Sequence, residues 1–194
     1  MIRLRDYFLS ESDLQKVHEE VNKLGYTYGW RSTTKPAKPD KNNDTYRHWN
    51  CNWAGKERDP GKAEYTIPAD VIALPEIFQS IWARLNKNND LDLVRLYSNA
   101  YTYGTEGNIH KDSSIKDNIT HLIYINMTWR ADWAGETVFL DKNDEIYRAI
   151  LPSPGRLVEF AGDIPHAARS VTKFCPVVRQ VIVFKSNPKK KEQE

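Results

Sequence analysis

Several features are scarce in this 194-residue sequence, and each scarcity excludes a class of protein. Two cysteines, Cys51 and Cys175, are too few for a disulfide framework, which agrees with a reducing compartment. A mean hydropathy of −0.68 excludes a membrane-spanning helix. Residues 1–6 are too charged for a signal peptide and no apolar run follows them, so we expect a cytoplasmic protein.

An excess of charge of one sign is also lacking. The 28 basic and 26 acidic residues leave a formal net charge of +2, which is too small to indicate nucleic-acid binding by bulk electrostatics. Basic residues are clustered only at 189–191, within a tail (187–194) that we expect to be disordered. A hydrophobic content of 40% suits a single domain with a core, and we expect one domain over residues 1–194.

The pattern of apolar residues predicts two helices followed by strands. Residues 10–24 have apolar positions at helical spacing, with Ser10 as N-cap and Gly25 as the stop, and residues 75–85 repeat that spacing behind Pro75. We expect residues 1–90 to brace a β core at 91–186. Short apolar runs between turns predict the strands of that core, at 91–96, 119–126, 137–140, 146–151, 157–160 and 177–184.

The segment between the helices has a different composition. Residues 33–44 are rich in Pro, Lys, Asn and Asp, and aromatic or imidazole side chains cluster after them. One interpretation is a mobile substrate lid, with His48 as a candidate substrate contact; the other is a surface loop whose aromatic side chains pack on the core. Both stay open for the 33–65 segment, whose clustered residues are Tyr46, His48, Trp49, Trp53 and Tyr65.

His110, Asp112 and His166 are the candidate metal ligands and catalytic residues. Residues i and i+2 of a strand share a face, so a strand here would let His110 and Asp112 converge on one ion. His166 follows a buried strand and the Gly162-Asp163 turn, which would place it at the open end of a barrel. Two imidazoles and one carboxylate are the donor set of a facial Fe(II) site. Each residue alone also has an ordinary structural explanation, so the hypothesis depends on the whole pattern.

Arg179 is the candidate anion-binding residue. In the predicted strand 177–184 it shares a face with Val181 and Val183, and an arginine on an apolar face requires an anion. A guanidinium binds a carboxylate through two parallel hydrogen bonds and stays ionised. Arg169 is the alternative partner for the anion.

With these residues the sequence resembles the 2-oxoglutarate and Fe(II)-dependent oxygenases, in particular the prolyl 4-hydroxylase-like branch. That pattern is His-x-Asp, a distal His and a following basic residue. The resemblance extends over residues 91–186 and has two departures. Ala134 stands where a glycine is usual, and Arg179 lies thirteen residues after His166, a few more than is common. The further matching segments are Tyr101-Thr102-Tyr103-Gly104, residues 119–126, Trp129, Trp133 and residues 135–139.

The resemblance implies a double-stranded β-helix, a jelly roll of the cupin-like kind, in the mainly β (α+β) class with N-terminal supporting helices. It implies Fe(II) as the metal of the triad, 2-oxoglutarate bound by Arg179 with Tyr124 and Tyr101 beside it, and O₂ as substrate. Ascorbate is a candidate stimulant. Asp112 favours hydroxylation, because the related halogenases lack this carboxylate.

The implied reaction is hydroxylation of a C–H bond with succinate and CO₂ as co-products, and the implied substrate is a peptidyl proline in a protein or peptide. Three alternatives stay open. The chain could be a small-molecule or amino-acid hydroxylase, a nucleobase demethylase of the same superfamily, or a non-catalytic jelly-roll binding module. We expect no membrane partner, and the oligomeric state is open.

Overall fold

The computed structural model describes residues 1–32, 47–55 and 68–189. No helix among these residues is long and apolar enough to cross a membrane. In chain order the elements are β1 (Ile2–Arg5), α1 (Glu11–Leu24), β2 (Thr27–Trp30), β3 (His48–Ala54), α2 (Glu76–Leu85), β4 (Leu91–Tyr101), β5 (Ile119–Tyr124), a 3₁₀ turn (Ala131–Trp133), β6 (Thr137–Leu140), β7 (Ile146–Ile150), β8 (Leu157–Ala161), β9 (His166–Ala168) and β10 (Arg179–Pro188).

Helix α1 begins and ends where its capping residues require. The Ser10 hydroxyl accepts a hydrogen bond from the Asp13 N–H, and the Asp13 carboxylate accepts one from the Ser10 N–H. This capping box satisfies two N–H groups that the helix itself cannot pair. The chain leaves the helix at Gly25, whose N–H donates to the carbonyl of Val21. The predicted helix is therefore confirmed.

The strands form two antiparallel sheets. The larger sheet has the order β1-β8-β5-β10-β4-β3-β2, and the smaller one has the order β7-β6-β9. Helices α1 and α2 pack on one face of the larger sheet, where Val17 and Phe78 join a fully buried cluster with Ile182. The other face packs against the smaller sheet, and there the rings of Phe139 and Phe160 lie 5.0 Å apart. The predicted mainly β architecture with bracing helices is confirmed.

Some boundaries differ from the sequence prediction. Strand β10 starts at Arg179 and continues through Asn187 and Pro188, which pair with β4, so these two residues of the expected tail belong to the sheet. Strand β4 is also longer than predicted, because its polar positions Asn99 and Ser98 interrupt the apolar pattern without interrupting the pairing. Strands β1, β2, β3 and β9 were not predicted.

The 33–65 segment is only partly described. His48, Trp49 and Trp53 lie on β3, so this part of the segment is a strand of the larger sheet. The rest of the candidate lid, at 33–46 and 56–65, lies outside the described residues, as do positions 190–194 of the expected tail.

Candidate metal centre and anion-binding site

His110, Asp112 and His166 come together at the end of the space between the two sheets. Each offers one ligand atom, and the three atoms lie within 4.8 Å of one another. His166 is the first residue of β9, and an antiparallel bridge connects its backbone to that of His110. The spacing is short enough for one ion to contact all three side chains.

The expected strand through His110 and Asp112 is wrong. His110 makes only an isolated bridge, and Asp112 lies in a bend. The N–H groups of Asp112 and Ser113 both donate to the carbonyl of Gly162, at 2.7 and 3.0 Å. A side chain on Gly162 would collide with the Asn118 amide oxygen. The carboxylate is therefore aimed by contacts with the β8–β9 turn and not by the pleat of a strand.

Both imidazoles are held in the same way. The Nδ1 atoms of His110 and His166 lie 2.9 Å from the carbonyl oxygens of Asn108 and Ile164, each two residues earlier. A carbonyl can only accept, so Nδ1 is the protonated nitrogen in the neutral rings. The lone pair is then on Nε2, the atom of each ring that lies near Asp112. A bond to the second ring nitrogen is the usual way a protein orients a metal-binding histidine.

Asp112 is buried and ionised. Burial alone would raise the pKa of this carboxyl, but the ammonium of Lys185 and the two imidazoles hold the pKa well below its ordinary value. Lys185 Nζ lies 2.6 Å from Oδ1, and the Thr120 hydroxyl donates to Oδ2 at 2.7 Å. Burial lowers the pKa of His166 to about 4, against the opposing effect of Asp112. The site therefore combines an anionic carboxylate with a neutral imidazole at neutral pH.

Arg179 lies in the same cavity as the triad, fully buried at the start of β10. Its Nε donates to the carbonyl of Gly135 at 2.6 Å, and its Nη2 donates to the Thr137 hydroxyl at 2.9 Å. Its Nη1 is buried and makes no hydrogen bond to a described residue. No carboxylate of the described ranges forms an ion pair with it. A buried guanidinium in this condition is suited to an anionic ligand.

Both predicted tyrosines lie close to the Arg179 guanidinium. The Cζ atom of Arg179 lies 5.0 Å from the ring centre of Tyr101 and 5.2 Å from that of Tyr124. Tyr101 lines the cavity, whereas Tyr124 is not among its described lining residues. The Tyr124 hydroxyl instead contacts the Thr137 hydroxyl at 2.7 Å and donates to the Ile150 carbonyl at 2.9 Å. Tyr124 thus contacts the candidate anion site through Arg179 and Thr137.

Arg169, the alternative anion partner, is placed differently. Its side chain is 42% exposed and lies 3.9 Å from the Glu106 carboxylate. It is not among the described residues that line the cavity. The geometry therefore favours Arg179 over Arg169 for an anion in this cavity.

Sequence reasoning missed several polar residues of the site, among them Thr120, Thr137 and Lys185. Lys185 continues the alternation Arg179, Val181, Val183 by one further step, but the predicted strand ended at residue 184. Thr120 and Thr137 stand inside predicted strands, where threonine is an ordinary β-forming residue. The period-two pattern could have identified Lys185, whereas nothing distinguished the two threonines.

His48 lies beside this site. Its ring stacks on Tyr101 with 4.8 Å between ring centres, and neither ring nitrogen makes a good hydrogen bond to a described residue. Burial is the main cause that lowers the pKa of His48 to about 3, and the nearby guanidinium of Arg179 lowers it further. His48 is therefore neutral and supports Tyr101, and the structure shows no direct role for it at the metal centre.

The part of the chain that carries these residues matches a known protein family. Residues 97–184, which include all three metal-ligand candidates and Arg179, match the sequence profile of the 2OG-Fe(II) oxygenase superfamily. No curated protein sequence matches the chain at a significant level.

Solved structures share the fold over almost the whole chain. A prolyl-4-hydroxylase from Pseudomonas putida is 15% identical, with 97% of this chain and 93% of that chain covered and a TM-score of 0.61. The viral collagen prolyl hydroxylase of Paramecium bursaria Chlorella virus 1, solved with 2OG, is 14% identical, with coverages of 95% and 94% and a TM-score of 0.62.

A third similar structure is a prolyl hydroxylase from Trichoplax adhaerens, solved with a peptide fragment of the oxygen degradation domain of hypoxia inducible factor. It is 18% identical, with coverages of 95% and 82% and a TM-score of 0.62. At such identities the likeness establishes the fold, which is the expected jelly roll.

Proposed function

We propose that the chain is a dioxygenase of the 2OG-Fe(II) oxygenase superfamily, whose sequence profile matches residues 97–184, and that it hydroxylates a prolyl residue in a peptide or protein substrate. As a dioxygenase of this superfamily it uses Fe(II), 2-oxoglutarate and O₂. One observation carries the proposal: the three candidate metal ligands and the buried guanidinium of Arg179 line the same cavity. The ligands are His110, Asp112 and His166. A metal-binding end and an anion-binding end are what a metal-chelating dicarboxylate requires.

The donor set fits Fe(II). Two imidazoles and one carboxylate would occupy three coordination positions and leave others open for a co-substrate and O₂. His110 and His166 present Nε2 because Nδ1 is bonded to a carbonyl, and Asp112 stays ionised because of Lys185 and the imidazoles. When bound, Fe(II) with 2-oxoglutarate and O₂ supplies the oxidising chemistry, with succinate and CO₂ as co-products.

Arg179 is assigned to the distal carboxylate of 2-oxoglutarate. Two of its nitrogens are already committed to Gly135 and Thr137, which fixes the plane of the guanidinium. The remaining Nη1 is the donor that a carboxylate would satisfy. The nearby rings of Tyr101 and Tyr124 are buried with Arg179, and exclusion of water strengthens the electrostatic attraction to an anion. Arg179 therefore binds and orients the co-substrate.

Proline as the target is supported by fold likeness to three prolyl hydroxylases, one of them solved with a peptide. The described residues add an aromatic and amide wall beside the metal centre. In it the amide of Asn50 donates to the Asn99 side chain at 2.8 Å, and Asn99 lines the cavity next to Tyr101. Amide groups and aromatic rings suit a peptide backbone and a proline ring better than they suit a charged substrate.

Substrate identity is tested by mass spectrometry. The protein, loaded with Fe(II) and supplied with 2-oxoglutarate and O₂, is incubated with a library of proline-containing peptides. We expect one added oxygen on proline, absent with His166→Ala. Parallel incubations contain the same peptides with alanine in place of proline, free amino acids, and methylated oligonucleotides. Oxidation confined to free amino acids, or demethylation of the oligonucleotides, would replace the prolyl assignment by the corresponding activity.

A further inference from the structure

In the proposed function Lys185 only keeps Asp112 ionised, and its geometry points to a more specific role. It is the fourth inward-facing residue of β10, after Arg179, Val181 and Val183, and only 8% of its side chain is exposed. Its ammonium lies 2.6 Å from Asp112 Oδ1. A lysine is seldom buried to this extent without a specific partner, and here that partner is a candidate metal ligand.

The second oxygen of Asp112 is held from the neighbouring strand. Thr120 on β5 donates to Oδ2 at 2.7 Å, and Thr120 is the residue directly opposite Lys185 in the β5–β10 pairing. One cross-strand pair therefore contacts both oxygens of one carboxylate, Oδ1 through an ion pair and Oδ2 through a hydrogen bond. We call this pair, Lys185 and Thr120, the carboxylate cradle. It fixes the plane of the Asp112 carboxylate from the larger sheet, independently of the backbone bonds that fix its Cα.

The two arms of the cradle are chemically unequal. Lys185 places a full positive charge on Oδ1, whereas Thr120 places a neutral hydroxyl on Oδ2. A divalent cation bound through Oδ1 would be repelled by the ammonium on the same oxygen, because interactions between charges are strong in a buried site. A cation bound through Oδ2 would meet only a hydroxyl. The positive charge of Lys185 therefore favours metal binding through Oδ2 over metal binding through Oδ1.

We propose that Lys185 is a positioning residue that makes Asp112 bind the metal through a single oxygen, Oδ2. Carboxylates bind metals through one oxygen or through both. Use of one oxygen preserves an open coordination position, which the superfamily's co-substrate and O₂ need. This inference rests on the proposed metal site and adds to it the reason why Asp112 occupies one position only.

The test uses Co(II) in place of Fe(II), because Co(II) is stable in air and its visible d–d bands and EPR signal report coordination. Lys185→Met removes the charge and keeps the length of the side chain. We expect altered d–d bands and EPR values, and a Co(II) dissociation constant lower by about tenfold or more, because a nearby positive charge has been removed. Lys185→Arg keeps the cation and should retain the wild-type spectrum.

Lys111→Met is the matched control, since Lys111 is exposed and adjacent to Asp112 in sequence, and it should leave the spectrum unchanged. Thermal unfolding establishes that each variant is folded, and Lys185→Gln replaces Lys185→Met if the latter is not. If the folded, uncharged variant gave the wild-type spectrum, the proposed role of Lys185 would be refuted and the proposed metal site would stand. Absence of Co(II) binding by the wild-type protein would instead overturn the proposed metal site, and this inference with it.

Discussion

His110 and His166 are joined through their backbones by two hydrogen bonds, each 3.0 Å long, in which the N–H of either residue donates to the carbonyl of the other. Their rings lie 4.4 Å apart between centres. The two imidazoles are therefore held at a fixed separation by the main chain, although 56 positions separate them in the sequence. A metal arriving at the site has little conformational entropy to remove from these ligands.

Loss of Asp112 should affect both metal binding and stability. Asp112→Ala removes one of the three proposed ligands, so we expect the Fe(II) or Co(II) dissociation constant to rise by about a hundredfold or more. It also leaves the Lys185 ammonium buried without its carboxylate, which should lower the free energy of unfolding of the metal-free protein by about 3–5 kcal/mol. Calorimetric titration and chemical denaturation measure the two effects.

The double variant Asp112→Ala/Lys185→Met separates these effects. It should recover most of the lost stability, since neither charge of the buried Asp112–Lys185 ion pair remains, without recovering metal affinity. Equal stability of the single and double variants would show that other groups stabilise the Lys185 ammonium when Asp112 is absent.

The stability of the metal-free protein should fall as pH falls from about 6 to 4.5. Burial lowers the pKa of His48 to about 3 and that of His166 to about 4. In this window the unfolded chain binds protons on both residues and the folded protein does not, so protonation favours unfolding. Each histidine contributes a slope of about 1.4 kcal/mol per pH unit. Denaturant unfolding in the presence of a chelator, at several pH values, gives the slope.

His48→Phe provides the control for this pH dependence, because phenylalanine can keep the stacking on Tyr101 without a titrating group. The slope of the variant should be smaller by about the contribution of one histidine. If the free energy of unfolding changed with pH equally in the variant and the wild type, His48 would not be held neutral in the folded protein.

Thr137 connects Arg179 to Tyr124 through one hydroxyl. The Ile150 carbonyl must accept from Tyr124, so Tyr124 accepts from Thr137, and Thr137 accepts from Arg179 Nη2. Thr137→Val leaves Nη2 buried without this acceptor. We expect a loss of about 1–3 kcal/mol in the free energy of unfolding and weaker 2-oxoglutarate binding. Thr137→Ser keeps the hydroxyl, and both quantities should stay near wild type. Similar values for the Val and Ser variants would show that the Thr137 hydroxyl does not support Arg179.

The turn before β6 contains two adjacent residues with positive φ, and substitutions there should act in opposite directions. Ala134 has φ 55°, which is strained for a residue with a side chain, so Ala134→Gly should raise the free energy of unfolding by about 1 kcal/mol. Gly135 has φ 78°, and an added Cβ would lie 3.1 Å from Arg179 Cδ. Gly135→Ala should therefore destabilise the fold and weaken 2-oxoglutarate binding. Thermal unfolding measures the change in stability of both variants. A change in the same direction for both would refute the prediction.

The helices and the central strands could be predicted because their signals are local. Ser10 and Gly25 define the ends of α1, and the alternation that includes Arg179 and Val181 defines the inward face of β10. The convergence of the triad could also be anticipated, since its residue types and order are distinctive. Arg179 could be singled out because a cation on an apolar face needs an anion, and its role in binding one stays a prediction.

The remainder depends on distant contacts that the local pattern does not contain. The bend at Asp112 is set by the carbonyl of Gly162, fifty positions away, so a period-two pattern suggested a strand that does not exist. Strand β1 (Ile2–Arg5) pairs with β8, more than 150 residues later, and its four residues carry little pattern of their own. Threonines such as Thr137 acquire their role only from the side chains that the sheets place around them.

An anaerobic absorption titration shows whether the triad and Arg179 form one site for Fe(II) and 2-oxoglutarate. Metal-free protein receives Fe(II) and then 2-oxoglutarate, and the visible metal-to-ligand charge-transfer band is recorded. We expect the band in the wild type, a requirement for about tenfold or more 2-oxoglutarate in Arg179→Ala, and no change in Arg169→Ala. Absence of the band from folded, metal-loaded wild-type protein would contradict the account.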